Sequence, residues 1–150
     1  MTFPDSKFPD ISAFATAYFE QCKVAQASVD VGRLKAAFAL LEKAYVRGAV
    51  VYVCGNGGSA GISNHLVCDH SKSGQMDTDL RPKVVSLATN MEMITAIAND
   101  ISYDEIFVYQ LKTLAEPGDV LLTISSSGDS ENIVQAAQWA KNNGLSVIAF

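Results

Sequence analysis

Several things are missing from this sequence, and each absence removes a class of function. No cluster of lysine or arginine occurs, and 16 acidic side chains outnumber 11 basic ones, for a formal charge of −5. Non-specific nucleic-acid binding needs several phosphate-neutralising cations on one face, so no nucleic-acid partner is expected. No apolar run is long enough to span a bilayer, so no membrane partner is expected either. Cysteine is scarce: Cys22, Cys54 and Cys68 are odd in number and form no CxxC pair. A disulfide framework is therefore not expected, and a reducing cytoplasm fits best. The opening Met1-Thr2-Phe3-Pro4-Asp5 has no basic segment followed by an apolar one, and so does not read as a secretion signal.

What remains is an ordinary globular composition. Of the 150 residues, 49% are hydrophobic, enough for one sizeable core and in keeping with one domain. Asp10 offers a helix cap, and Phe14, Tyr18, Cys22 and Ala25 follow at helical spacing. Asp30 opens a second helix with the apolar stripe Val31, Leu34, Ala37, Phe38, Leu41 and Tyr45, stopped by Gly48. The apolar surface of this pair exceeds what one small sheet covers, so a partner chain could share it.

From residue 49 the period changes. Short β-branched runs at 49–54, 83–87, 120–124 and 145–150 read as buried parallel strands. Between them, 59–73, 90–98, 104–115 and 130–143 read as helices, with Ser59 as a cap. Residues 74–82, with Asp77, Asp79 and Arg81, read as a loop. Alternating strands and helices imply an α/β fold on a parallel sheet. The expected organisation is a helical pair over 1–48 and an α/β core over 49–150, acting effectively as a single domain. The sequence stops inside a strand at Phe150, so the core is expected to lack its C-terminal portion.

Two strands run into loops of glycine, serine and asparagine, each followed by a helix: Gly55-Asn56-Gly57-Gly58-Ser59 and Ser125-Ser126-Ser127-Gly128-Asp129-Ser130. In open α/β sheets ligands bind at the carboxyl ends of the strands. Glycine lets backbone N–H groups approach an anion, and the following helix adds the positive end of its dipole. The hydroxyls of Ser125, Ser127 and Ser130 can donate to phosphate oxygens. GNGGS has no lysine at the P-loop position and lacks the GxGxxG spacing, so neither a Walker site nor a dinucleotide site is indicated. One such loop is an ordinary turn; two at strand ends point to an anion site.

His65 and Asp69, four apart, share a face of the helix after the first loop. That spacing serves a metal site, an acid–base pair or a plain surface contact. His70 lies a hundred degrees round the helix and reads as exposed or structural; Cys68 reads as packing. Asp100 either accepts from sugar hydroxyls or ends a helix. Trp139 and Phe107 read as core.

Together, GNGGS after an apolar strand, AND-ISYDEIF and GDVLLTISSSGDSENI resemble the sugar isomerase (SIS) domain, nearest its phosphoheptose isomerase group, over about residues 10–150. The resemblance implies a three-layer α/β/α sandwich with a doubly wound parallel sheet and two N-terminal helices. It implies a homo-oligomer, a tetramer or dimer, with active sites at subunit interfaces. It implies conversion of sedoheptulose 7-phosphate to a glycero-manno-heptose 7-phosphate, a step towards lipopolysaccharide or a related cell-surface polysaccharide. By the same resemblance Ser125, Ser126, Ser127 and Ser130 form the phosphate loop, Asn56 and Ser59 the first ligand loop, and Asp100 a substrate contact. His65 falls at a zinc ligand.

Two departures accompany it. The family's catalytic base and metal ligand, one helical turn after that histidine, is glutamate; here it is Asp69, whose carboxylate is set back by over about 1 Å, enough to cost about a hundredfold in rate. The family's partner histidine and glutamine ligand come from a later helix that these residues do not include. A catalytic isomerase with Asp69 and His65 at its centre, a non-catalytic sugar-phosphate sensor or protein-bridging module, and a purely structural Rossmann-like domain are thus the competing expectations.

Overall fold

The computed structural model describes residues 3–76 and 78–150; Met1, Thr2 and Asp77, the last read above as part of a loop, lie outside the described residues. The chain divides into two compact units, residues 1–37 and 38–150. In the first, helix α1 (Ile11–Ala27) is capped by Asp10, whose Oδ1 accepts from the Ala13 N–H at 2.8 Å. Phe3, Phe8, Phe14 and Tyr18 gather there, with Phe3 and Phe14 ring centres 5.5 Å apart and Phe14 stacked on Tyr18 at 6.0 Å. Asp30 caps the start of α2 (Val31–Val46) through the Gly32 and Arg33 N–H groups, as its sequence position implied.

The second unit holds β1 (Val50–Gly55), α3 (Gly58–Cys68), a π-helical turn (Asp69–Ser73), α4 (Gly74–Met76) and β2 (Lys83–Ser86). It continues through α5 (Met91–Asp100), a 3₁₀ turn (Tyr103–Glu105), α6 (Val108–Leu114), β3 (Val120–Ile124), α7 (Glu131–Asn142) and β4 (Ser146–Ala149). All four strands are parallel, in the order β2-β1-β3-β4. The strands match their expected positions to within a residue or two.

Strand alternation sends Tyr52, Cys54 and Leu121 to one face, where they meet Leu87, Ile97, Ile106, Phe107, Leu111, Ile133, Ala136 and Ala140 from the helical segments. Val51, Val53, Val120, Leu122 and Ile148 point the other way and are equally buried, with α3 packed on β1, β2 and β3. Both faces are therefore covered, as a parallel sheet requires. Phe107 is core and Trp139 packs against its margin.

Three expectations are corrected. Residues 59–73 are not one regular helix, because the ladder widens to π geometry at Asp69. The stretch 74–82 opens with the short turn α4. Residues 104–115 split into the 3₁₀ turn and α6, with Ser102 capping the former through the Asp104 N–H at 3.1 Å.

Candidate functional site

The chain leaves β1 for β2 on one side and later builds β3 and β4 on the other, so the order reverses between β1 and β3. A crevice opens outside the carboxyl ends of strands at such a switch point. The two small-residue loops leave from there, and the last residues of their strands, Gly55 and Ile124, are direct lateral neighbours.

In the first loop Gly57 adopts φ 53°, a left-handed conformation that glycine tolerates, and it caps α3. Ser59, expected at the cap, instead sits inside the first turn, its N–H donating to the Asn56 carbonyl at 2.9 Å. This frees its hydroxyl from capping. It also presses the serine against β1: a Cβ on Gly55 would stand 2.7 Å from the Ser59 Cβ. Only glycine lets the strand end pass so close to the helix.

In the second loop the Ser125 N–H donates to the Phe150 carbonyl at 2.9 Å, tying the loop to the end of β4. The Ser125 hydroxyl oxygen accepts from the Gly128 N–H at 3.1 Å and that of Ser127 from the Asp129 N–H at 3.4 Å. Both hydroxyls accept in these bonds, so their protons remain available to a ligand. Ser126 and Ser127 are exposed; Ser130 occupies the cap position of α7 without using its side chain for it. A cavity of ≈ 310 Å³ lies on the β4 side of this loop, lined by Ser125, Gly128, Ile133, Ala149 and Phe150. It faces away from β1 and is mostly apolar, so it is not the switch-point crevice.

The structure adds two residues, Asn132 and Tyr103, that sequence reasoning missed. Asn56 Nδ2 donates to Asn132 Oδ1 and Asn132 Nδ2 donates back to Asn56 Oδ1, both at 2.9 Å. The Tyr103 hydroxyl donates to the same Asn56 oxygen at 3.1 Å. No local signal foretells a pairing across 76 positions. The one available hint is an asparagine in the first turn of α7 with no capping task.

His65 and Asp69 do meet: Nε2 and Oδ1 stand 3.4 Å apart, with 75% and 58% of the two side chains exposed. The π-helical turn begins at Asp69 and swings His70 inward, where Nδ1 hydrogen-bonds the Tyr45 hydroxyl and the rings meet edge-on at 5.6 Å. Burial lowers the His70 pKa, with the Asp69 charge pulling partly the other way, and burial pushes the Tyr45 hydroxyl up to about 12. His70 is thus a structural residue. Cys68 is exposed rather than packed, whereas Cys54 is buried and its thiol is pushed up to about 12 by desolvation.

Asp100 ends α5, exposed, and accepts from its neighbour Asn99 at 2.7 Å. It lies three residues before Tyr103, whose hydroxyl reaches the first loop. For zinc the fit is incomplete. A zinc site takes at least three protein ligands, and among the described residues no group of three or more histidine, cysteine, aspartate or glutamate side chains converges. His65 and Asp69 offer two.

A family model for the SIS domain matches residues 14–150. A phosphoheptose isomerase of Alteromonas mediterranea is 38% identical over 129 residues, covering 86% of this chain and 65% of that protein. A probable phosphoheptose isomerase of Thermoplasma acidophilum is 36% identical over 137 residues, 91% of this chain and 74% of that one. The solved phosphoheptose isomerase from Francisella tularensis superposes with a TM-score of 0.81 at 30% identity, over 93% of this chain and 73% of that one. The chain thus spans 65% of the length of relatives such as those of Alteromonas mediterranea and Shewanella denitrificans. Its parallel sheet, its paired loops at the switch point and these matches lead to one conclusion: the chain belongs to the SIS domain family.

Proposed function

We propose that this chain binds a sugar phosphate at the β1–β3 switch point and isomerises sedoheptulose 7-phosphate to the corresponding aldo-heptose 7-phosphate, for heptose-containing cell-surface polysaccharide such as lipopolysaccharide. The single observation that carries the reading is the lateral pairing of Gly55 with Ile124. It sets two glycine- and serine-rich loops side by side, each leading into a helix, in the crevice where α/β sheets bind ligands. Ser59, Ser125, Ser126, Ser127 and Ser130 then serve the phosphate, and Asp100 takes sugar hydroxyls. Phosphate binding remote from the reacting carbons orients them, and that orientation raises the rate.

Ketose to aldose conversion moves one proton between neighbouring carbons. Asp69 takes a proton from C1 and the C1–H electron pair becomes the C1=C2 bond of an enediol, while the C2 carbonyl oxygen gains a proton. Return of a proton to C2, with loss of the O1 proton, completes the aldose. His65, 3.4 Å from Asp69, relays protons beside it. The likeness to phosphoheptose isomerases supports this chemistry, and no step is assigned to a metal. The exposed apolar residues of α1 and α2 support a homo-oligomer, a dimer or tetramer, and three free cysteines support a reducing cytoplasm.

The test is conversion of sedoheptulose 7-phosphate by the full-length protein, followed by NMR with and without added zinc. Aldose should accumulate, and Asp69→Asn should lower the rate by about a hundredfold or more. No aldose under either condition rejects the enzyme. A non-catalytic sugar-phosphate module is the second reading, favoured by a shorter Asp69 in an exposed, loosely spaced pair with His65. In that case the sugar phosphate raises the melting temperature with no turnover, and Asp69→Glu is the change that introduces activity.

A further inference from the structure

Asn56 lies in the first ligand loop, yet its side chain is already engaged. Its Oδ1 accepts two hydrogen bonds, from Asn132 at 2.9 Å and Tyr103 at 3.1 Å, and its Nδ2 donates one to Asn132 at 2.9 Å. An amide oxygen has two lone pairs, so both are taken, and the side chain keeps only the second N–H of Nδ2 unpaired. Asn132 is 2% exposed, out of reach of a sugar phosphate, and sits in the first turn of α7 two residues after Ser130. The reciprocal pair therefore joins the β1 loop to the helix that follows the serine loop, and Tyr103 braces it from the 3₁₀ turn.

We propose that Asn56 and Asn132 are positioning residues that clamp the two loops into one anion cradle, with Tyr103 as their brace. This deepens the sugar-phosphate reading and rests on it. With the clamp intact the Ser59 and Ser127 hydroxyls and the amino ends of α3 and α7 face one ligand without rearranging. With it cut, a buried amide loses its partner and the cradle must be ordered at each binding event.

The experiment is a titration of the full-length protein with sedoheptulose 7-phosphate and with inorganic phosphate, each variant also melted without ligand. Asn56→Ala and Asn132→Ala should each weaken both probes by about tenfold. Together they should cost no more than one of them, since they remove the same clamp. Tyr103→Phe, at an exposed position that does not threaten folding, should weaken binding by roughly threefold alone and not at all in the Asn56→Ala background. Several results overturn the proposal. One is additive losses, about a hundredfold for the pair; another is a full effect of Tyr103→Phe in the Asn56→Ala background. Loss of affinity for Asn56→Ala alone would make it a ligand. Lowered melting temperatures at unchanged affinity would make the pair merely structural. If Asn132→Ala does not fold, the Tyr103–Asn56 cycle decides. A wild-type protein that binds neither probe overturns the sugar-phosphate reading itself, an outcome visible before any variant is made.

Discussion

Serine hydroxyls in the second loop have a divided task. Ser127 accepts from the Asp129 N–H at 3.4 Å, which shapes the turn and leaves its own proton free; under the proposed function that proton meets a phosphate oxygen. A hydrogen bond to a charged group contributes about 1.5–3 kcal/mol. Ser127→Ala should therefore raise the sugar-phosphate dissociation constant by roughly ten- to hundredfold, measured by calorimetry. The exposed turn should leave the melting temperature of the free protein nearly unchanged. Unaltered affinity would remove the phosphate role of this loop. Asp69 is different in kind, since its place is set by the π-helical turn that begins with it. One extra residue in a helical turn is a device often found at functional sites, and nothing in the residue types of 65–73 announces it.

At the scale of elements, the packing of α3 on β1 depends on one missing methyl group. A Cβ at Gly55 would stand 2.7 Å from the Ser59 Cβ and 2.8 Å from its backbone. Gly55→Ala should destabilise by about 1–3 kcal/mol, in the range of overpacked cores. It should also push Ser59 out of the crevice, so thermal melting and sugar-phosphate titration should both worsen. A melting temperature equal to the wild type's would show that α3 yields freely. The contact between α2 and the π-helical turn gives a second test. Burial lowers the His70 pKa in the fold, so the folded value lies below the unfolded one of about 6.5. The unfolded chain then takes up the proton first as pH falls, and the His70 contribution is complete above that pH and lost below it. Melting temperatures between pH 8 and 5 should decline on the acid side, less so in His70→Gln, which keeps an acceptor for Tyr45. Identical profiles would remove His70 from that decline.

At the scale of the whole molecule, the N-terminal helices leave much apolar surface open. Helix α1 has no buried residue and α2 only Ala44. Ile11, Phe19, Val24, Val31 and Phe38 are each more than half exposed. Large apolar side chains exposed in such number along two helices point to a partner that covers them. Phe19→Asp combined with Val24→Asp should therefore lower the molar mass measured by light scattering to that of a smaller species. A wild type already monomeric at working concentration would refute the oligomer. Among the described residues no helix is long and apolar enough to cross a membrane, so a bilayer is not what covers these helices by spanning.

Periodicity and punctuation made most of the elements legible: the β-branched runs before Gly55 and Ser125, the caps Asp10 and Asp30, and the loop residues with no lysine all follow from local chemistry. The sequence by itself thus determined which segments are strands, which strand ends carry glycine- and serine-rich loops and that His65 and Asp69 share a helix face. Only the tertiary structure decided that β1 and β3 are neighbours, that Asn56 bonds Asn132 and Tyr103, and that the helix widens at Asp69 so that His70 turns in to Tyr45. The reason is physical. Local preferences act over a few residues, whereas strand order and side-chain pairing between distant positions are fixed by the packing of both sheet faces, which no short stretch of sequence encodes.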